Sequence, residues 1–171
     1  MPNAYIFSGL PGVGKTTLAK QLAQVIPDTV YFRIDTIEYY LKKEYSQELT
    51  KQGYEIAYNQ AKENLELGKN IIIDCCNPVI ESRELWSKLS NIGSTEVINI
   101  EVVCKKKQIH QNRVETRYNI NENKYPSWQD VLDREYQAWN QSIITIDTSI
   151  NDKQELHDTL NKISKGICDA E

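Results

Sequence analysis

The stretch IFSGLPGVGKTTLAKQLA, residues 6–23, decides how the rest of the chain is read. An apolar run suited to a buried strand, Ala4 to Ser8, stops at Gly9. Glycines recur at 12 and 14, and after Lys15, Thr16 and Thr17 the residues Leu18, Leu22 and Val25 fall at helical spacing. Gly9 to Thr16 fits the pattern GxxxxGK[ST]. Between a strand and a helix, such glycines let successive backbone N–H groups turn inward around phosphate oxygens, and the helix adds its positive end. Gly9, Pro11, Gly12, Val13, Gly14, Lys15, Thr16 and Thr17 are therefore the candidate nucleotide contacts. Lys15 would reach the β- and γ-phosphates, and the Thr16 hydroxyl would ligate Mg²⁺.

Outward from this stretch the chain alternates. Val30 to Ile34, Ile71 to Asp74, Val97 to Val103 and Ile143 to Ile146 are short β-branched or aromatic runs, separated by longer segments with helical spacing such as Leu85, Trp86 and Leu89. Near-continuous apolar strands require helices on both faces of a parallel sheet, so the spacing predicts a three-layer α/β/α domain with right-handed crossovers. Gly68 and Gly93 read as helix ends, and SWQD at Ser127 to Asp130 has capping-box spacing. The polar stretch Arg117 to Ser127 reads as a loop between two helices.

At 171 residues the sequence suits a single domain, residues 1–171, with one core. No apolar run approaches the roughly 20 residues of a membrane span, and the first residues lack the pattern of a secretory signal, so the expected location is cytoplasmic. Cys75, Cys76, Cys104 and Cys168 form no CxxC pair, and His110 and His157 are isolated, so reduced thiols are expected rather than a zinc site or disulfides. A net charge of −4 disfavours a general nucleic-acid or anionic-membrane binder.

A guanine-nucleotide switch would need NKxD and DxxG. Asn123-Lys124-Tyr125-Pro126 lacks the Asp, and Asp74-Cys75-Cys76-Asn77 lacks the Gly. ATPase motors place a water-polarising Glu after the strand-end Asp, and IIIDCCN has none. An acceptor other than water follows. Asp35, at the expected end of the second strand, would orient that acceptor or take its proton, a role compatible with capping the next helix. Arg113 and Arg117 are four apart on one helix face and could close over the triphosphate, or pair with Glu115 and neighbouring acids.

With FSGLPGVGKTT, YFRIDTIE, GKNIIIDCCNP, IEVVC, RVETR, YPSWQDVLDREYQAW and IDTS in view, the chain resembles P-loop kinases of the AAA-33 group. That group is similar to polynucleotide 5′-hydroxyl kinases, chloramphenicol phosphotransferase, zeta-type toxins and adenylylsulfate kinases, and includes bacterial proteins called AAA-family ATPases. The resemblance implies a five-stranded parallel sheet in the order 2-3-1-4-5 with a helical lid at about residues 105–135. It implies that Asp35 orients the acceptor, that Arg113 or Arg117 is the lid arginine, and that Asp74 lies near substrate or Mg²⁺. Where polynucleotide kinases of the group carry an arginine soon after the orienting Asp, this chain has Glu38, which would repel a substrate phosphate and suit a cationic or amine-bearing molecule. The Asp-Gly-Asp of adenylylsulfate kinases is replaced by RIDTIE. Asn77 could hydrogen-bond an acceptor hydroxyl or simply make a turn, and Tyr39, Tyr40, Tyr54 and Tyr58 lie on helices beside the expected pocket.

The function expected from these residues is transfer of the γ-phosphate of ATP, with Mg²⁺, to a hydroxyl of a small molecule. The alternatives are an ATP-binding regulator that transfers nothing and, as a minor share, a nucleic-acid 5′-hydroxyl kinase.

Overall fold

The computed structural model describes residues 1–45, 51–141, 143–150 and 152–167. Strands β1 (Asn3–Ser8), β2 (Thr29–Arg33), β3 (Asn70–Asp74), β4 (Glu96–Val103) and β5 (Ile144–Asp147) form one sheet. All pairings are parallel, in the order β2-β3-β1-β4-β5, as the resemblance implied. The flanking helices are α1 (Lys15–Val25), α2 (Ile34–Tyr45), α3 (Gln52–Glu66), α4 (Ile80–Ser87), α5 (Lys107–Ile120), α6 (Trp128–Leu132) and α7 (Lys153–Ser164), with a 3₁₀ turn at Lys88–Asn91.

Strand periodicity sends alternate side chains to opposite faces, and both faces are covered. Tyr5, Phe7, Ile72, Ile100 and Val102 meet Leu18 and Leu22 of α1 and Leu160 and Ile163 of α7. Ala4, Ile6, Ile71 and Ile73 meet Ala57, Ala61 and Leu65 of α3, together with Trp86 and Leu89. Each fully buried Ile or Leu contributes about 1.5–3 kcal/mol of transfer free energy, and these two layers are what hold β1 at the centre of the sheet.

Several boundaries differ from the sequence reading by one residue or more. Ile34, expected to end β2, is the first residue of α2 and packs in the core, so Asp35 sits inside the first helical turn rather than capping it. Helix α5 runs on to Ile120, four residues into the stretch read as loop, because Arg117 to Ile120 simply continue its hydrogen bonding. The capping box at Ser127 and Asp130 forms, but α6 lasts only to Leu132 and irregular chain follows through residues 133–141. Gly68 and Gly93 do adopt the left-handed conformation of helix ends. Cys75, Cys76 and Cys104 are free and buried; Cys168 lies outside the described residues. Among the described residues no helix is long and apolar enough to cross a membrane.

Candidate active site

Since β1 lies between β3 and β4, its C-terminal end opens at the middle of the sheet, and the chain there turns through Gly9 to Gly14 into α1. Gly9 has φ 135°, a conformation open essentially to glycine alone, and a Cβ there would lie well inside van der Waals contact distance of the Val102 carbonyl oxygen on β4. Gly12 has φ 87°, and a Cβ would come within 2.5 Å of Val114 Cγ2 on α5. The glycines thus do two jobs: they bend the loop and let β4 and α5 press against it. The Pro11 carbonyl accepts a hydrogen bond from His110 Nε2 at 2.7 Å, which fixes the Nε2–H tautomer. Burial holds that imidazole below its ordinary midpoint and therefore neutral at pH 7.

Lys15, the first residue of α1, is 8% exposed, and its Nζ donates to the Leu10 carbonyl at 2.9 Å. The ammonium therefore lies across the loop that it would share with a phosphate. Pro11, Gly12, Gly14, Lys15 and Thr16 line a cleft of about 1080 Å³. A single small-ligand pocket measures roughly 300–1,000 Å³, so this volume can hold a donor and an acceptor together. Val13 is buried behind the loop. Thr17, whose N–H bonds the Gly14 carbonyl, belongs to the helix, and neither residue is part of the cleft wall.

On the other side of the cleft stand Asp35, Glu38, Tyr39 and Tyr40 of α2. The Asp35 side chain is 62% exposed and is met by Arg33 Nη2 at 3.4 Å. Arg33 Nε also lies 3.7 Å from Asp74 Oδ2, and Tyr31 donates its hydroxyl to that same oxygen at 2.8 Å. Asp74 is buried, its Oδ2 is taken, and it lies behind the cleft wall rather than in it. Burial and the neighbouring carboxylates push the Tyr31 hydroxyl above its ordinary range, so it stays a donor. Glu38 lies half-buried against Gly53 of α3, where a Cβ would collide with its stem. Burial, followed by the charge of Asp35, raises its midpoint to about 7, against the opposing pull of Arg134.

The two arginines of α5, equivalent by spacing, have different surroundings. Arg117 lines the cleft. Arg113 turns instead to the loop after β5, where Nη1 donates to Thr148 Oγ1 at 2.8 Å and Nη2 to the Thr148 carbonyl at 2.9 Å. The Thr148 hydroxyl donates in turn to the Val13 carbonyl, so Arg113 supports the phosphate loop from behind. Asn77, at φ 51°, is also behind the wall: its side-chain amide donates to Ser8 Oγ at 2.9 Å and its N–H to the Tyr54 hydroxyl at 3.2 Å. Tyr54 packs on Trp86, with ring centroids 5.8 Å apart, and only Tyr39 and Tyr40 of the four tyrosines singled out reach the cleft.

Sequence reasoning passed over several cleft residues. Arg33, Lys42, Lys124 and Arg134 join Lys15 and Arg117 there, against only Asp35 and Glu38, which makes the cleft basic in a chain of net charge −4. Lys124 Nζ sits 5.5 Å from the Tyr39 ring centroid and 5.6 Å from that of Tyr125, linking the α5–α6 loop to α2. The one available signal was that RID and LDRE place an arginine beside a carboxylate.

No curated protein sequence matches the chain. Among solved structures it is similar in fold to a candidate kinase from Chloroflexus aurantiacus, with TM-score 0.76, 18% identity, and 97% of this chain and 96% of that one covered. It is also similar to a sugar kinase from Janibacter sp. (TM-score 0.67, 16% identity, coverage 98% and 96%). A third is Chaetomium thermophilum Kti12 in complex with ADP-AlF3 (TM-score 0.68, 18% identity, coverage 97% and 100%). With the phosphate loop, the sheet order and these likenesses agreeing, the match of residues 5–141 to the family described as an AAA domain, AAA_33, shows that the chain belongs to that family.

Proposed function

We propose that the protein is an ATP- and Mg²⁺-dependent phosphotransferase that moves the γ-phosphate to a hydroxyl of a small molecule. The observation carrying this reading is that a phosphate loop with a buried lysine and an exposed carboxylate, Asp35, border one cleft large enough for both substrates. The open backbone of Gly9 to Gly14 and the ammonium of Lys15 fit a triphosphate. Among the described residues no group of three or more His, Cys, Asp or Glu is arranged to hold a metal ion, so Mg²⁺ would take its ligands from phosphate oxygens, water and the Thr16 hydroxyl. Bound there, the ion would neutralise charge on the transferred group. A metal-side role for Asp74 would fall to its Oδ1, since Oδ2 is engaged by Tyr31 and Arg33.

Asp35 accepts a hydrogen bond from the acceptor hydroxyl and orients it in line, with Arg33 holding the carboxylate in place. Lys15 and Arg117 neutralise the phosphate oxygens as charge spreads over them. Arg113 keeps the loop in shape. Glu38 and Asn77 belong to the acceptor side, Glu38 directly and Asn77 by fixing the chain between Ser8 and Tyr54. The fold shared with a sugar kinase supports a small hydroxylated acceptor. Buried free thiols suit the reducing cytoplasm.

The test is ADP release from ATP and Mg²⁺ across nucleosides, aminoglycosides, chloramphenicol-like amides, sugars, adenylylsulfate and oligonucleotide 5′ ends, with Lys15→Ala as control. One acceptor class raising release above background, and Lys15→Ala abolishing it, is the expected result. Asp35→Asn should then lower kcat by about 100-fold or more at nearly unchanged ATP affinity. ATP binding without stimulation by any class would instead support an ATP-binding regulator.

A further inference from the structure

Arg83, on α4, lies outside the cleft and outside the motifs that identify the phosphate loop, yet it is heavily engaged. Its Nε donates to the Asn77 carbonyl at 3.3 Å and its Nη2 to the Pro78 carbonyl at 3.3 Å. Its Nη1 donates to the Ala138 carbonyl at 3.0 Å, and Nη2 also reaches the Gln137 carbonyl. The guanidinium carbon stands 4.1 Å from the Trp139 ring centroid and 5.4 Å from that of Tyr136. One planar cation thus joins the loop after β3 to the irregular chain after α6. Gln137 strengthens the junction: its N–H donates to the Pro78 carbonyl at 2.8 Å, and its Oε1 accepts from the Ile80 N–H at 2.8 Å. The Tyr136 hydroxyl ties the same segment to Glu101 on β4 at 2.9 Å.

Three residues before Gln137 comes Arg134, which lines the cleft with Lys15 and Thr16 and pulls down the midpoint of Glu38. No helix or strand fixes Arg134, since α6 has ended at Leu132. Its position is set between two anchors, the end of α6, where the Asp133 N–H bonds the Gln129 carbonyl, and the Arg83 junction just beyond it. A guanidinium can serve several carbonyls in one plane while stacking on rings; a lysine ammonium cannot.

We propose that Arg83 is a positioning residue that holds Arg134 in the cleft, where Arg134 acts on the γ-phosphate beside Arg117. The inference rests on the phosphotransferase reading. It gives the irregular segment 133–139 a purpose and makes the cleft's electrostatics depend on a residue that touches no substrate.

The experiment is equilibrium binding of Mg²⁺-ADP and of Mg²⁺-β,γ-imido-ATP, which differ by one phosphate. Arg134→Ala is expected to weaken the imido nucleotide roughly 10- to 100-fold, the loss of a charge-assisted contact, and to leave ADP within about twofold. Arg83→Lys, although it keeps the charge, should produce the same selective loss, and should add little when combined with Arg134→Ala. Gln137→Ala loosens the same junction and should shift the ratio in the same direction by less. A folded Arg83→Lys with the wild-type ratio, equal weakening of both nucleotides, or full additivity with Arg134→Ala would each overturn the proposal. If Arg83→Lys does not fold, an unchanged ratio in Gln137→Ala overturns it. These outcomes leave the phosphotransferase reading standing, whereas a wild-type chain that binds neither nucleotide, or binds them equally well as Lys15→Ala, removes that reading and this inference with it.

Discussion

Replacing Glu38 by Gln should make the protein more stable and less able to bind its acceptor, with a pH dependence that identifies the cause. The carboxyl titrates near 4.5 in an unfolded chain and at about 7 in the folded one, because burial and Asp35 disfavour its charged form. The folded state therefore holds the proton more tightly, and wild-type stability falls as pH rises from about 4.5 through about 7 and then levels off. If Glu38 were sealed from water this shift would cost on the order of 3 kcal/mol above pH 7. Glu38 is only half-buried, so solvent screening reduces the cost to about 1–2 kcal/mol. Gln has the same shape, keeps the stem on Gly53 and does not titrate. Thermal unfolding of both proteins between pH 4.5 and 8.5 is the assay, with about 2–4 °C expected per kcal/mol for a chain of this size. Glu38→Gln should melt roughly 2–8 °C higher than wild type at pH 8, with the gap closing by pH 5. A gap independent of pH, or a less stable variant at pH 8, would refute the reasoning.

Other perturbations separate residues that the sequence treats alike. Arg113→Ala should lower stability by about 1–3 kcal/mol by leaving the Thr148 carbonyl without its donor, whereas Arg117→Ala should melt within about 1 °C of wild type and lose turnover; thermal unfolding beside steady-state kinetics checks both. Gly9→Ala should cost about 2 kcal/mol or more, because a positive φ and the Val102 carbonyl both oppose a side chain, and should lower the melting temperature by at least about 4 °C. Thr16→Val should keep nucleotide binding but raise the Mg²⁺ concentration needed for half-maximal effect, read by titrating the metal at fixed nucleotide.

The phosphate loop was legible because its chemistry is local: glycines, Lys15 and Thr16 lie within eight residues between a strand and a helix. The layers were legible for a similar reason, since fully apolar strands such as Ile71 to Ile73 need cover on both sides. The arginines of α5 show where local reasoning stops. Spacing puts Arg113 and Arg117 on one helix face, but their surroundings differ because Thr148, 35 positions beyond Arg113, comes to one and the cleft to the other. Asp74 was expected near the metal, and the hydroxyl and guanidinium that engage it, Tyr31 and Arg33, belong to the neighbouring strand, a pairing set by register. The basic character of the cleft was hidden for a different reason: net charge averages over a surface, while Lys42, Lys124 and Arg134 are gathered from three separate segments.

The hydrogen bond from the Thr148 hydroxyl to Val13 spans 135 positions of sequence. During synthesis the glycine loop emerges early, with its ligand chemistry already encoded, but the residue that braces its back is added much later. A nascent chain that has not yet passed residue 148 therefore carries the binding motif without the brace, and should leave nucleotide in solution. On the proposed phosphotransferase reading, nucleotide capture becomes a signal that β5 has docked, and the bound nucleotide then acts as a late clamp on a sheet whose last strand has just closed.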